Sequence, residues 1–196
     1  MIITISGTPG SGKSTIAKRL VNELSLERSY AGGIFRKLAR DRGMAVEEML
    51  EFIKSHPEID KQIDKMVSEE ARHFEAEGKS VVVEGRVQYH FLPESFKLFI
   101  KVDQKEAAKR IFKDLQNKEA QQARNEKVVE TVEEVERKTT TRENKDVKRY
   151  EELYGTNYLD ETHYDVVVDT THMSIDKAVE TIKNLIQEHK NKKASD

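Results

Sequence analysis

Residues 7–15 read "GTPGSGKST". Gly7, Gly12, Lys13 and Ser14 match the spacing G-x-x-x-x-G-K-[ST], which builds a loop for holding phosphate groups. Backbone N–H groups of such a loop, together with the first turn of the following helix, point inward at phosphate oxygens. Gly7, Thr8, Pro9, Gly10, Ser11, Gly12, Lys13, Ser14 and Thr15 therefore form the expected grip on a nucleotide triphosphate. Within it, Lys13 is expected to reach the β and γ phosphates, and the Ser14 hydroxyl to bind Mg²⁺. The context agrees: the strand-like "IITIS" (2–6) precedes the loop and a helical stretch follows it. A glycine-rich turn without a ligand would not need that frame.

A phosphate grip does not name the acceptor of the phosphoryl group. Two sets of cations point to a second anion. Arg86 follows "VVVEG", just past the carboxyl end of a buried strand, where ligands bind in open α/β sheets. Arg36 lies in "AGGIFR", and a guanidinium fork matches phosphate bidentately. Further on, Lys138, Arg142, Lys145 and Arg149 fall within an arc of about 60° on a helix, at about 100° per residue. Such a stripe repels itself unless it faces an anion; the competing reading is a solvated face neutralised by Glu136, Glu143 and Asp146. Glu84 and Asp103 end buried strands and are the carboxylates best placed to hold Mg²⁺ through water, although each also fits a loop start. Phosphoryl transfer asks for alignment, a metal, cations and exclusion of water rather than a covalent nucleophile.

The elements that must position these groups are legible. "IITIS" (2–6), "SVVVE" (80–84), "KLFIKV" (97–102) and "YDVVVD" (164–169) are nearly continuous in apolar residues, as strands buried on both faces are. A weaker strand is expected near "RSYA" (28–31). Helices are expected from Ser14 to about Leu24, over "IFRKLARDRG" and "VEEMLEFIKSH" with a break at Gly43, and over "PEIDKQIDKMVSEEARHFEAEG" with proline in the first turn. The stretch from Gln104 to Leu153 is charged and lacks a strand signal, and a last helix runs from about Ser174 to His189 before a frayed "KNKKASD" tail. The alternation predicts a doubly wound α/β fold, a five-stranded parallel sheet flanked by helices. One domain is expected: a core over about 1–30, 78–110 and 155–190, an acceptor-binding helical insertion over about 31–77, and a lid over about 111–154.

Composition narrows the field. Of 196 residues, 36% are charged, against roughly 25% in ordinary soluble domains, so apolar residues must concentrate in few segments. The net charge of −2 supplies no global attraction to nucleic acid or anionic membrane. With no cysteine, disulfides and thiolate catalysis are excluded, and six scattered histidines make no metal-binding pair. No apolar run approaches ~20 residues and no signal peptide is visible, so a cytoplasmic, monomeric protein is expected. A switch GTPase fits poorly: there is no DxxG, and "NKDV" (144–147) ends in Val147 where base readout needs aspartate.

With these pieces assembled, the chain resembles the nucleoside monophosphate kinases, and among them the archaeal-type (type 2) cytidylate kinases. The resemblance rests on "IITISGTPGSGKSTIAKRL", "AGGIFRKLARDRGM", "HPEIDKQID", "VVVEGR", "RENKDVKRYEELYG" and "YDVVVDTT", and spans nearly the whole length. It implies transfer from ATP to CMP or dCMP, giving ADP and CDP or dCDP. It places Arg36 and Arg86 on the acceptor phosphate, Asp60 of "HPEID" in the acceptor region, Arg142 and Arg149 as lid cations, and Arg110 at the lid base beside the donor. Gly33 departs from the family's usual Glu or Asp, Lys13 stands where many relatives have Thr, and "KRIFKD" lacks a second arginine beside Arg110. Adenylate or uridylate kinase activity, or a non-catalytic ATP-binding module associated with nucleic acid, are the alternatives; small nucleotides and no nucleic acid are the expected partners.

Overall fold

A computed structural model describes residues 1–125 and 129–193. In chain order the elements are β1 (Ile2–Gly7), α1 (Lys13–Leu24), β2 (Glu27–Tyr30), α2 (Ala31–Asp41), α3 (Val46–Phe52), α4 (Pro57–Ala76), β3 (Val81–Glu84), α5 (Gln88–Phe91), β4 (Phe96–Lys101), α6 (Gln104–Leu115), α7 (Lys118–Arg124), α8 (Val132–Tyr154), β5 (Val166–Asp169) and α9 (Ile175–Lys193), with a 3₁₀ turn at Glu161–His163. The five strands form one sheet in the order β2-β3-β1-β4-β5, every pair parallel. The chain leaves central β1 for the β2–β3 side and later crosses to β4–β5. The carboxyl end of β1 is thus where the order reverses, and there an open sheet leaves a crevice for ligands.

Alternation along β1 separates two cores. Ile3 and Ile5 pack with Ile16, Ala17 and Leu20 of α1 and with Val179 and Ile182 of α9. Ile2, with Val81 and Val83 of β3, packs against Ile63, Val67 and Ala71 of α4. A third cluster joins Val87, Phe99, Tyr150, Tyr158 and Tyr164, which seats α8 on the sheet. Removing a fully buried leucine such as Leu20 would cost on the order of 2–5 kcal/mol.

All five expected strands are present, within a residue or two of the sequence reading. Four boundaries differ. Helix α3 ends at Phe52, and the expected remainder to His56 tightens into turns in which the N–H groups of Lys54, Ser55 and His56 donate three residues back, to Glu51, Phe52 and Ile53. Helix α2 begins at Ala31, so "AGG" lies in its first turn. Helix α6 runs through residue 111 without a break, so the expected start of the lid falls inside it. Helix α9 continues to Lys193, one turn beyond the expected stop near His189; residues 194–196 of the expected frayed tail lie outside the described residues.

Candidate active site

The phosphate loop sits where β1 ends and α1 begins. Gly7 has φ 140°, and a Cβ there would come within 1.9 Å of the Ile100 carbonyl oxygen on β4. Only glycine lets β1 turn away from its neighbour this closely. Gly12 caps α1 with φ 85°. The loop is braced at both ends: Thr8 N–H donates to Ile100 O at 3.1 Å, and Thr8 Oγ1 accepts from Val102 N at 3.2 Å. The Thr170 hydroxyl, just past β5, donates to Ser11 O at 3.1 Å. Lys13 folds back into the loop, its Nζ donating to Gly7 O at 2.8 Å and to Thr8 O at 2.6 Å. Burial, reinforced by the neighbouring charge of Arg86, pulls the Lys13 ammonium down to about 7. The charge of Arg86 thus acts on Lys13, while the carboxylates of Glu84 and Glu143 oppose the fall, so two cations and two acidic side chains meet at the mouth of the loop.

Arg86 lies where the sequence put it. Ser6, next to Gly7 on β1, donates its hydroxyl to Arg86 O at 2.8 Å and ties the residue to the loop. Its side chain reaches the lid helix: Nε lies 2.7 Å from Asp146 Oδ2, and the guanidinium stands 4.9 Å from the Tyr158 ring centroid. Asp146 also holds Arg149 at 3.0 Å, and Arg149 reaches Asp60 Oδ2 at 3.4 Å. The buried carboxylate of Asp146 thereby joins Arg86 to Arg149, and Arg149 links both to Asp60. Asp60 is pushed above its ordinary range by burial, partly offset by Arg149.

The cationic stripe divides. Arg142 and Arg149 are half-buried, whereas Lys138 and Lys145 are exposed, with Lys138 paired to Glu134 at 2.8 Å. The buried face of α8 carries Val135, Asp146 and Tyr150, so the two arginines lie on its flank and the two lysines point outward. Asp146, read from sequence as one of the charges neutralising a solvated face, is 2% exposed. Arg142 acts electrostatically on Tyr158, in the same cluster as Arg86. Glu143 faces inward too; burial raises its carboxyl, opposed by Arg86 and Lys13.

The two metal candidates part company. Glu84 ends β3, is buried, and is bonded by Arg28 Nε at 2.6 Å. Burial raises its carboxyl, while Arg28, Ser14 and Lys13 counter that rise, which places Glu84 beside the Ser14 hydroxyl. Asp103 instead caps α6, accepting from Lys105 N at 3.0 Å and Glu106 N at 3.1 Å. No described bond ties Asp103 to Ser14 or Lys13, so its position past β4 serves the helix, as aspartate before a helix commonly does. Among the described residues no three acidic or histidine side chains cluster as a metal cage. Ser14 with one carboxylate behind it suits Mg²⁺, which keeps several waters and takes its remaining ligands from substrate phosphates.

Arg110 braces the donor side. Its Nη2 donates to Thr170 O at 2.9 Å and Thr171 O at 3.1 Å, in the loop that touches Ser11. On the acceptor side, Arg36 Nη1 donates to the Tyr30 hydroxyl at 2.7 Å and to Gly32 O at 2.6 Å.

Several participants were not singled out from sequence. Asp64 of α4 is buried and accepts from Gln88 Nε2 at 2.7 Å and from the Tyr154 hydroxyl at 2.8 Å. Burial, with Asp60 nearby, raises its carboxyl to about 7. Gln88 is 0% exposed and its Oε1 has no hydrogen-bond partner. The sequence signal for Asp64 was present: it lies four residues after Asp60, on the same face of α4. The end of α7 also touches the segment between α2 and α3, where Val46 N donates to Asn125 O at 3.1 Å and Asn125 Nδ2 donates to Met44 O at 3.1 Å.

Comparison with known proteins shows the family. A family model described as AAA domain matches residues 3–140. A cytidylate kinase of Methanopyrus kandleri is 34% identical over 192 residues, covering 95% of this chain and 93% of that one. A cytidylate kinase of Ignicoccus hospitalis is 36% identical over 187 residues, covering 94% and 98%. Among solved structures, a shikimate kinase from Acinetobacter baumannii superposes with a TM-score of 0.58 at 16% identity, covering 96% of this chain and 94% of that one, and speaks to the fold alone. The chain belongs to the cytidylate kinase family.

Proposed function

We propose that this enzyme transfers the γ-phosphoryl group of ATP to CMP or dCMP. The observation that carries the proposal is the pair of cations Lys13 and Arg86, neighbours at the carboxyl end of β1, one in the phosphate loop and the other just past β3. ATP would lie with its β and γ phosphates in the loop of residues 7–15, against Lys13, with Arg110 bracing the loop beyond Ser11. The acceptor monophosphate would lie across the sheet edge, its phosphate gripped by Arg36 and Arg86 and its nucleoside toward Asp60 on α4. Arg142 and Arg149 would come from the lid onto the phosphoryl group in flight. Mg²⁺ held by the Ser14 hydroxyl, and through water by Glu84, would neutralise charge across the β and γ phosphates.

In the transfer an acceptor phosphate oxygen bonds to the γ-phosphorus. The bond from that phosphorus to the β-bridging oxygen breaks, and its electron pair leaves with ADP. No covalent enzyme intermediate is required. The chain's contribution is to align the two phosphates, to place guanidinium groups around the equatorial oxygens, and to keep water out by seating α8 over the site. In this reading residues 31–77 form the acceptor insertion and the helices α7 and α8 the lid. Among the described residues no helix is long and apolar enough to cross a membrane. In the same reading the enzyme works in the cytoplasm, as a monomer, on free nucleotides.

The test is a coupled assay of ADP release with AMP, CMP, dCMP, UMP and GMP as acceptors. CMP or dCMP should give the highest kcat/KM. Turnover no higher than the ATP-only background with all five would refute the proposal.

A further inference from the structure

Tyr30 stands between the two halves of the site. It is the last residue of β2, paired in register with Glu84, and it immediately precedes α2. Its hydroxyl oxygen accepts from Ser14 Oγ at 3.2 Å on the donor side and from Arg36 Nη1 at 2.7 Å on the acceptor side. Its ring lies between two guanidinium groups, with Arg28 Cζ 4.5 Å and Arg36 Cζ 5.5 Å from the centroid. Arg28 in turn holds Glu84, the carboxylate beside Ser14.

The glycines that follow make room for this ring. A Cβ on Gly33 would stand 2.6 Å from Tyr30 Cδ1, and one on Gly32 would stand 3.0 Å from Tyr30 Cε2. A separation under 3.0 Å forces something to move, and the ring is closed in by Arg28 and Arg36. Gly33 is thus explained by Tyr30: any side chain there displaces the ring that supports Arg36.

Arg36 needs that support. It is a long side chain on the first turns of a helix, and fixing its fork costs rotamer entropy whenever an anion binds. The hydroxyl of Tyr30 and the carbonyl of Gly32 both take Nη1; among the described residues no hydrogen bond holds Nε or Nη2. The fork is therefore held from one side and open on the other.

We propose that Tyr30 is a positioning residue that presets Arg36 for the acceptor phosphate and, through Ser14, couples acceptor binding to occupancy of the phosphate loop. This rests on the monophosphate kinase reading and adds to it a route by which each substrate senses the other. The single hydroxyl hydrogen of Ser14 is contested by Tyr30 and Glu84; a ligand that draws Ser14's lone pairs into the loop turns that hydrogen onto Tyr30, which fixes the ring and hence Arg36. Filling the acceptor site fixes the same hydroxyl from the other end.

The experiment uses the full chain with Tyr30→Phe, which keeps the ring and removes the hydroxyl. CMP KM at saturating ATP should rise about tenfold, as expected for losing a bond to a charged group. The kcat should stay within about threefold, because a preset binding group acts on ground and transition states alike. A second readout is CMP affinity by calorimetry, with and without a non-hydrolysable ATP analogue. The wild type should show tighter CMP binding with the analogue present, and Tyr30→Phe should bring that ratio toward one. A third is a double-mutant cycle: in an Arg36→Ala background, Tyr30→Phe should change CMP KM no further. Gly33→Ala, which leaves the hydroxyl chemistry intact but crowds the ring, should raise CMP KM in the same direction.

Tyr30→Phe leaving CMP KM within twofold would overturn the proposal. So would effects of Tyr30→Phe and Arg36→Ala that multiply independently, or a fall in kcat at unchanged KM. Wild-type turnover with CMP in the same assay reports on the kinase reading separately. Loss of coupling in Tyr30→Phe beside an active wild type bears on Tyr30 alone.

Discussion

Replacing Arg86 by alanine should injure the protein in two separable ways. The guanidinium holds a buried lid carboxylate, Asp146, at 2.7 Å, with the two side chains 17% and 3% exposed. Removing one member of such a pair leaves an uncompensated charge and costs ~3–5 kcal/mol. Arg149 still contacts Asp146 at 3.0 Å, so the lower figure applies. For a chain of 196 residues, about 3 kcal/mol corresponds to a drop in Tm of about 6–12 °C. The functional injury is different. Two charge-assisted hydrogen bonds to the acceptor phosphate, at about 1.5–3 kcal/mol each, correspond to a loss of about 10²–10⁴ in kcat/KM for CMP. ATP affinity should change by no more than about threefold, because Arg86 opposes the charge of Lys13 rather than completing the loop. Scanning fluorimetry and a coupled assay read the two effects. The double variant Arg86→Ala/Asp146→Asn separates them: removing the orphaned charge should restore at least half of the lost Tm and none of the lost kcat/KM. If the double variant regains activity, or if Arg86→Ala shifts the ATP and CMP constants equally, the placement of Arg86 on the acceptor phosphate is refuted.

Two further outcomes follow from the site. Lys13→Ala should lower kcat by at least about a hundredfold while Tm holds or rises, because burial and the charge of Arg86 disfavour the ammonium; an unchanged kcat would remove it from the transferring phosphate. Asp64 has its carboxyl raised from 3.8 to about 7 by burial, so the folded chain binds its proton more tightly than the unfolded chain. That contribution to stability is full below about pH 4 and is lost as pH rises to about 7. The Tm of Asp64→Asn relative to wild type should therefore climb between pH 5 and pH 8, and a difference constant across that range would contradict a protonated Asp64.

The chain announced its frame through local signals. Continuous Val and Ile runs marked the strands, since a strand covered on both faces has no polar side to alternate, and the glycine-lysine loop marked the carboxyl end of β1. Arg86 was legible as a position because it stands just beyond β3, and Arg36 because it lies on the second turn of α2, the helix that follows β2 directly. Asp146 was not. On a helical wheel it reads as one more charge on a polar helix, and it becomes a buried partner only when Tyr150, Tyr158 and Tyr164 seat α8 on the sheet. Asp103 carries a second role for a related reason: a carboxylate after a buried strand is equally a helix cap, the role it fills at α6, and spacing alone does not separate the two. Tyr30 was hidden because its partners, Ser14 and Arg36, lie on opposite sides of it in the chain and meet only through the sheet.

The central claim is that donor and acceptor phosphates meet end to end over β1. A single ligand in which adenosine and cytidine are joined 5′ to 5′ through five phosphates tests it directly by calorimetry. One such molecule should bind per chain, more tightly than either ATP or CMP, and should be displaced competitively by each of them. Displacement by ATP but not by CMP, or binding no tighter than that of ATP, would contradict the account.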